Sequence, residues 1–555
     1  MTELNVDFAT GPAEYRHWTL EIASPLATLR MTVDPSGGLF ADYELKTNSY
    51  DLGVDIELYD ITQRLRFEHP EVRVVVLTGG LDRIFCAGAN IQMLAAASHG
   101  HKVNFCKFTN ETRNAIEDAS ANSGQVWIAA VNGTAAGGGY ELALACDEIL
   151  LVDDRSSSVS LPEIPLLAVL PGTGGLTRVV EKRGVRRDLA DAFSTRTEGL
   201  RGQTAAEWGL VDQIAPASAF DELIMERVKQ RAAESDRPES ASGIELSPLD
   251  RTIGDDSVRY AYVGAEIDRT LGTATITISG PRATEPTDPT ELEQRGAAAW
   301  ILATVRELDD AILHLRFNEP TIGTWVFRTE GDPDVVTAAE SILLSHPHHW
   351  LARETRLFWT RTLKRLDVSS RSLITLVEPG SCFAGVLCEL LLVADRSFML
   401  DGTWEDADDP PLPATVRLTD SNLGTYPMSN DLSRLQTRFW RNDHSLAAAR
   451  EVVGEDLAAD LAAQRGLVTF IPDDLDWDDE IRLMLEERNS FSPDALTGME
   501  ANYRFVGPET METKIFARLS AWQNWIFQRP NAVGDEGALK RFGTGSRPDF
   551  DKRRV

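Results

Sequence analysis

Cysteine is scarce: five residues (86, 106, 146, 382 and 388) in 555, an odd number, scattered, with no pair at zinc-ligand spacing. That excludes a disulfide framework or a zinc ribbon and fits reduced thiols in the cytoplasm, with no metal site expected. Positive charge is also short. There are 55 Lys and Arg against 86 Asp and Glu, a net charge of −31. A nucleic-acid surface needs clustered cations, so none is expected, although a local basic patch for one phosphorylated ligand is compatible with the total. Long apolar runs are missing as well. The richest, 128–152 and 373–394, are interrupted by Glu, Gly, Asn or Pro, so no membrane span is expected. The first residues, Met-Thr-Glu-Leu-Asn-Val-Asp, are acidic and do not read as a signal peptide. No dinucleotide-binding glycine fingerprint is present, and no redox cofactor is expected.

What is there centres on Ile128-Ala-Ala-Val-Asn-Gly-Thr-Ala-Ala-Gly-Gly-Gly-Tyr-Glu-Leu-Ala-Leu-Ala-Cys-Asp147. It reads as a buried strand, a glycine turn and the start of a helix. Glycines let a ligand approach the backbone, and the first N–H groups of a helix lack intrahelical partners. An oxyanion can therefore sit at Gly138, with Glu141 one turn away as an acid or base.

Around this stretch, 72–78, 125–131 and 149–152 read as strands, and 52–67, 101–120 and 216–229 as helices. The alternation predicts an α/β domain with parallel strands. A polar segment without periodicity follows, and the chain then begins again. Glu57-Leu-Tyr-Asp-Ile-Thr-Gln-Arg-Leu-Arg-Phe67 matches Glu307-Leu-Asp-Asp-Ala-Ile-Leu-His-Leu-Arg-Phe317, and Glu141-Leu-Ala-Leu-Ala-Cys-Asp147 matches Glu389-Leu-Leu-Leu-Val-Ala-Asp395. Two ordered matches at nearly one offset, charged positions included, predict a duplication. The expected division is a catalytic domain over 1–231, a linker over 232–257, a degenerate second copy over 258–477 and a helical region over 478–555. The second copy has lost the glycine run (Gly385-Val-Leu-Cys-Glu389) and continues into an acidic, proline-rich stretch, Trp404-Glu-Asp-Ala-Asp-Asp-Pro-Pro-Leu-Pro413. It reads as structural. In the last region Phe516, Trp522, Trp525 and Phe527 read as a packing stripe.

Four ordered motifs carry a family resemblance: Phe85-Cys-Ala-Gly-Ala-Asn-Ile91; Asn132-Gly-Thr-Ala-Ala-Gly-Gly-Gly-Tyr-Glu141; Leu161-Pro-Glu163 followed by Pro171-Gly-Thr-Gly-Gly175; and Ala205-Ala-Glu-Trp-Gly-Leu-Val211. Over 25–230 the chain resembles the crotonase (enoyl-CoA hydratase/isomerase) superfamily. The resemblance implies the ClpP/crotonase spiral ββα fold, here duplicated, and a CoA-thioester substrate. It implies an oxyanion hole from the N–H groups of Ala89 and Gly138, worth about 3–4 kcal/mol per donor on a developing thioester oxyanion. Glu141 and Glu163 match the hydratases' catalytic pair, which holds a water between an acid and a base. Cys106, on the helix after the first motif, is a further candidate acid, base or nucleophile. Lys46, with Arg30 behind it, is the candidate contact for the CoA phosphates.

The chain departs from the pattern at Asn90 (usually Asp), at a large Tyr140, at Pro165, and in a spacing from Glu163 to Pro171 that is one residue longer. These departures predict a pocket reshaped for something bulkier than a linear enoyl chain. The whole-chain layout, with Leu45-Lys-Thr-Asn-Ser-Tyr-Asp-Leu-Gly-Val-Asp55 and Ala521-Trp-Gln-Asn-Trp-Ile-Phe-Gln-Arg-Pro-Asn-Ala-Val533, is similar to two-copy crotonase relatives acting on benzoyl-CoA. The function implied is hydrolytic opening of epoxidised benzoyl-CoA in aerobic benzoate degradation. That reaction consumes two waters and yields formate and 3,4-dehydroadipyl-CoA semialdehyde. An ordinary enoyl-CoA hydratase or isomerase, a thioester hydrolase and a non-catalytic CoA-binding scaffold stand as alternatives. Burial of internal copy-to-copy surface in a duplicated chain favours a homodimer over larger assemblies.

Overall fold

The structure is a computed structural model that describes residues 5–404 and 412–555. Most of the acidic, proline-rich stretch after Trp404, and the first four residues, lie outside the described residues. The chain forms two compact units. One is Phe8–Leu246; the other joins the chain's start, as far as Asp7, to Ser247–Val555.

The first unit is a spiral of strand–strand–helix turns. Strands β1 (Trp18–Ala23) and β2 (Leu26–Met31) form an antiparallel hairpin. The chain continues through β3 (Ser49–Tyr50), α1 (Leu52–Phe67), β4 (Val74–Gly79), β5 (Arg83–Cys86), β6 (Gly88–Ala89), α2 (Ile91–Ala96) and α3 (His99–Ser123). Then come β7 (Val126–Val131), β8 (Gly133–Ala136), α4 (Gly138–Ala145), β9 (Glu148–Asp153), β10 (Val159–Ser160) and α5 (Glu163–Leu167), and later β11 (Gln213–Pro216) and α6 (Phe220–Glu234). The main sheet runs β1-β2-β4-β7-β9-β11, parallel from β2 onward. After each of β4, β7 and β9 the chain turns into a short strand of a second sheet, ordered β10-β8-β5, before entering a helix.

The second sheet was not expected: residues 133–136 read as part of a glycine turn but form β8. The strand readings near 74, 126 and 149 hold because those strands are covered on both faces and can be β-branched throughout. On one face Val74, Val76, Ile128, Ala130, Leu150 and Val152 pack against Phe220, Val228 and Ala232 of α6. Each aliphatic side chain so buried contributes about 1.5–3 kcal/mol.

Within the stretch expected as a linker, buried Arg237 donates to Pro70 O (3.1 Å) and Ser123 Oγ (2.5 Å). Ile244 N–H donates to Phe67 O at 2.9 Å. The chain is thus laid onto the first unit as far as Leu246, whose N–H donates to Glu68 at 2.9 Å.

The second unit repeats the main sheet. Val263–Asp268 and Thr273–Ser279 are antiparallel. Thr324–Glu330, Ser372–Val377 and Arg396–Met399 follow in parallel, with Trp300–Asn318 in the position of α1. The matched charges do matched work. Glu57 accepts the N–H groups of Arg16 and His17 at 2.8 and 3.0 Å, at the start of β1. Glu307 accepts those of Tyr262 and Val263 at 2.7 and 3.0 Å. Asp147 and Asp395 each accept a strand N–H, from Trp127 (2.7 Å) and Leu373 (2.8 Å).

Helices Trp477–Ser490 and Pro493–Arg504 close this unit. Trp477, Ile481, Met484 and Leu485 join a core with Val326, Ile374 and Phe398. The aromatic stripe packs only in part. Trp522 and Trp525 meet edge to face with centroids 5.5 Å apart, whereas Phe516 and Phe527 are exposed.

Candidate active site

The site is built where the second sheet meets the first turn of α4. Gly137 has φ +54°, a conformation that other residues adopt only with strain, and a Cβ added there would lie 2.5 Å from Glu163 Oε1. The glycine therefore does two things. It turns the chain from β8 into α4, and it leaves room for the carboxyl of Glu163. At Gly138 an added Cβ would lie 2.1 Å from the Tyr50 hydroxyl oxygen, so the space in front of this glycine is taken by that hydroxyl.

The segments that carry the two expected oxyanion donors, Ala89 on β6 and Gly138 on α4, run side by side here. Strand β6 pairs in parallel with β3, Ala89 opposite Tyr50, and the Asn90 N–H donates to Tyr50 O at 2.8 Å. Alternation along a parallel ladder then turns the Ala89 N–H away from β3. The neighbouring Gly88, at φ +89°, passes so close to α4 that an added Cβ would lie 2.9 Å from the Gly138 nitrogen.

Glu141 is buried and held by three donors. The N–H groups of Thr173 and Gly175 donate to Oε1 at 2.9 and 2.7 Å, and the Thr173 hydroxyl donates to Oε2. The loop carrying these donors is itself fixed: Arg178 donates to Thr173 O at 2.9 Å, and Asn110 of α3 to Gly172 O at 3.1 Å. Glu163 opens α5 and is held differently. Its Oε2 is buried without a hydrogen-bond partner. Burial, with the Glu141 charge nearby, pushes its carboxyl up to about 7. The two carboxylates are thus unlike: one is oriented by donors, the other poised to exchange a proton near neutral pH.

Of the remaining candidates, Cys106 lies half-buried on α3, its Sγ 3.4 Å from where a Cβ on Gly172 would be. Burial and then the charges of Glu141 and Asp55 push its thiol up to about 11, so it is a neutral thiol at pH 7. Lys46 is exposed, paired with Glu44 at 2.7 Å, on the loop whose Glu44 carbonyl accepts from the Asn90 amide at 2.8 Å. Arg30 lies on β2, its guanidinium 3.5 Å from Gly79 O, and is not brought to this loop by any described contact.

Two departures from the family pattern acquire reasons. The Asn90 amide donates to Glu44 O and to Ser49 Oγ (3.1 Å) while its oxygen caps α2 at Met93 N (2.9 Å). An ionised aspartate keeps the cap and loses both donors. Tyr140, expected to reshape the pocket, points elsewhere: it is buried against Phe193 and donates to Leu210 O at 2.7 Å. It reports packing of α4, not pocket shape. Thr173 and Gly175 were visible only as motif letters, and nothing in their spacing marked them as holders of Glu141.

Comparison with known proteins bears on what this geometry serves. Residues 44–240 match the enoyl-CoA hydratase/isomerase family. A benzoyl-CoA-dihydrodiol lyase of Aromatoleum evansii is 55% identical over 99% of this chain and 98% of its own length. The chain belongs to the benzoyl-CoA-dihydrodiol lyase family. It is a crotonase-type enzyme, and the similarity to the lyase runs through both units of this chain. The fatty acid oxidation complex subunit alpha of Shewanella loihica is 33% identical over 33% of this chain and 25% of its own. Among solved structures, an enoyl-CoA hydratase from Bacillus anthracis is 29% identical, covering 39% of this chain and 77% of that one at a TM-score of 0.34. Among the described residues no cluster of His, Cys, Asp and Glu is arranged to hold a metal ion, and no helix is long and apolar enough to cross a membrane.

Proposed function

We propose that the protein opens the ring of 2,3-epoxybenzoyl-CoA with two waters, giving formate and 3,4-dehydroadipyl-CoA semialdehyde, as a step of aerobic benzoate degradation. What supports the reading is the pairing of a donor-held Glu141 with an undercoordinated Glu163 beside the Ala89 and Gly138 N–H groups, in a chain 55% identical to a benzoyl-CoA-dihydrodiol lyase.

In this reading the thioester carbonyl lies between the Ala89 and Gly138 N–H groups, which take up charge as the ring is attacked. Glu141, fixed as an acceptor, orients the attacking water and draws its proton. Glu163, protonated in part at pH 7, gives a proton to the opening epoxide oxygen and takes one back in the second hydration. Water adds to the activated ring and the adjacent C–C bond breaks, its electron pair moving toward the thioester. The second water releases the severed carbon as formate. The chemistry is addition of water and proton transfer, so no cofactor beyond the CoA ester is invoked. Cys106 lines the site as a thiol, Lys46 contacts the CoA phosphates, and the second copy carries no chemistry. A cytoplasmic homodimer completes the proposal.

The test is to incubate the purified protein with 2,3-epoxybenzoyl-CoA and to measure formate and free CoA thiol together. One formate per turnover with no thiol is expected. Free thiol, or a hydrated CoA ester without formate, overturns the assignment.

A further inference from the structure

The segment 48–55 is dense in buried polar groups, and its hydrogen bonding is nearly complete. Asn48 accepts from Val33 N (3.0 Å) and donates to Met31 O (2.8 Å) and Phe85 O (3.0 Å). Ser49 accepts from Asn90, and Asp51 accepts from Leu39 N (2.7 Å) and the Tyr43 hydroxyl. Asp55 accepts from Arg113 (2.6 Å) and Thr109 (2.5 Å). The exception is Tyr50. Its hydroxyl is buried and makes no hydrogen bond. A buried hydroxyl left unpaired costs about 1–3 kcal/mol.

The ring is clamped where it stands. Arg113 lies 5.4 Å from its centroid, Phe105 is 5.9 Å away, and its backbone carbonyl holds Asn90. The clamp aims the unused hydroxyl at the surface of Gly138 that a Cβ would otherwise fill. We infer that Tyr50 is a catalytic residue, its phenol donating a third hydrogen bond to the substrate oxygen held by the Ala89 and Gly138 N–H groups. The inference rests on the acyl-CoA reading of the site and deepens it. A neutral phenol is what such a donor must be, and burial keeps this one neutral: it raises the phenol well above its ordinary range, against the pull of Arg113. Tyr50 and Ala89 are opposite residues of one two-strand ladder, so the side-chain donor and the backbone donor are placed by the same pairing. The apparent defect in the folded protein is satisfied only when a ligand oxygen arrives.

The test is Tyr50→Phe, which removes one unpaired oxygen and leaves the ring clamp. A dimethylamino-substituted cinnamoyl-CoA serves as probe, because polarisation of its carbonyl shifts its absorption to the red. Turnover of epoxybenzoyl-CoA is followed alongside. The expected results are a fall in kcat on the order of 100-fold, as for loss of one oxyanion donor, a smaller red shift of the bound probe, unchanged affinity for a CoA thioether that lacks the carbonyl, and no loss of thermal stability. A variant with wild-type red shift and wild-type kcat overturns the role of Tyr50 alone. A wild-type protein that binds the probe without any red shift overturns the acyl-CoA reading and this inference with it.

Discussion

Glu163→Gln separates catalytic need from folding stability. In the folded protein the Glu163 carboxyl titrates near 7, against 4.5 for an ordinary glutamate, because it is buried with one oxygen unpaired. Below about pH 4 both folded and unfolded chains carry the proton, and the group contributes no difference. Between 4.5 and 7 the unfolded chain loses its proton and the folded chain retains it, so stability falls as pH rises through this window. Above 7 the whole difference is lost to the folded state, at most about 3 kcal/mol. Glutamine behaves as a permanently protonated stand-in. Wild type and Glu163→Gln should therefore unfold alike near pH 4.5, and the variant should be more stable at pH 8 by up to that amount. Activity should move the other way, with formate release falling on the order of 100- to 10,000-fold through loss of an acid–base group. The assay is urea denaturation of both proteins from pH 4.5 to 8.5, with formate release measured on the same samples. A stability difference that does not change with pH, or a variant less stable at pH 8, refutes the account of why Glu163 titrates near 7.

Glu141→Gln should abolish formate release to a similar degree while also costing stability, on the order of 1–2 kcal/mol, because an amide cannot accept from all three donors now on the carboxylate; thermal unfolding and turnover read both. Asn90→Asp should lower kcat/KM about tenfold, since the loop at 44–49 loses the two amide donors that hold it beside Ala89. Cys106→Ser should retain turnover within a few-fold if the thiol serves as a neutral lining group; a loss of 100-fold or more would restore it as a participant in proton or acyl transfer.

The parts of the fold that were legible in the sequence are those whose physics is local. Residues 52–67 form a helix that Asp51 caps at its N-terminus. The β-branched strands follow from burial on both faces. The duplication was legible because Glu57 and Glu307, and Asp147 and Asp395, bond backbone N–H groups that any copy of the fold must satisfy. What was not legible depends on direction. Tyr140 and Glu141 are neighbours, yet one points at Leu210 and the other at Thr173, and composition cannot tell which way a large side chain turns. Strand β8 hid in the glycine-rich stretch because its pairing partners, β5 and β10, are distant in sequence. The difference between Glu141 and Glu163 is a difference in the donors reaching each, and those donors come from a loop some thirty residues downstream.

In the second copy the glycine turn is occupied by the protein's own side chain. Gly385 keeps the backbone conformation of Gly137, φ +53° against +54°. The space in front of it is taken by a carboxylate from elsewhere in the chain: a Cβ on Gly385 would lie 2.1 Å from Glu340 Oε2. Glu340 accepts from the Tyr426 hydroxyl at 2.9 Å and from the backbone N–H of Val386, the residue aligned with Gly138. Glu389, aligned with Glu141, is bound by Asn422 (2.7 Å) and Arg434 (3.2 Å). The second turn is thus filled by the protein's own carboxyl group, and burial pushes Glu340 up to about 7. Folding stability of this unit should then fall as pH rises from about 4.5 through 7, the same sign as for Glu163. Glu340→Gln should remove that dependence and leave formate release within about twofold of wild type, because the first unit has its own donors and carboxylates. A Glu340→Gln protein that stays folded yet loses ring cleavage would mean that the filled turn takes part in catalysis, and the assignment of all chemistry to the first copy would fall.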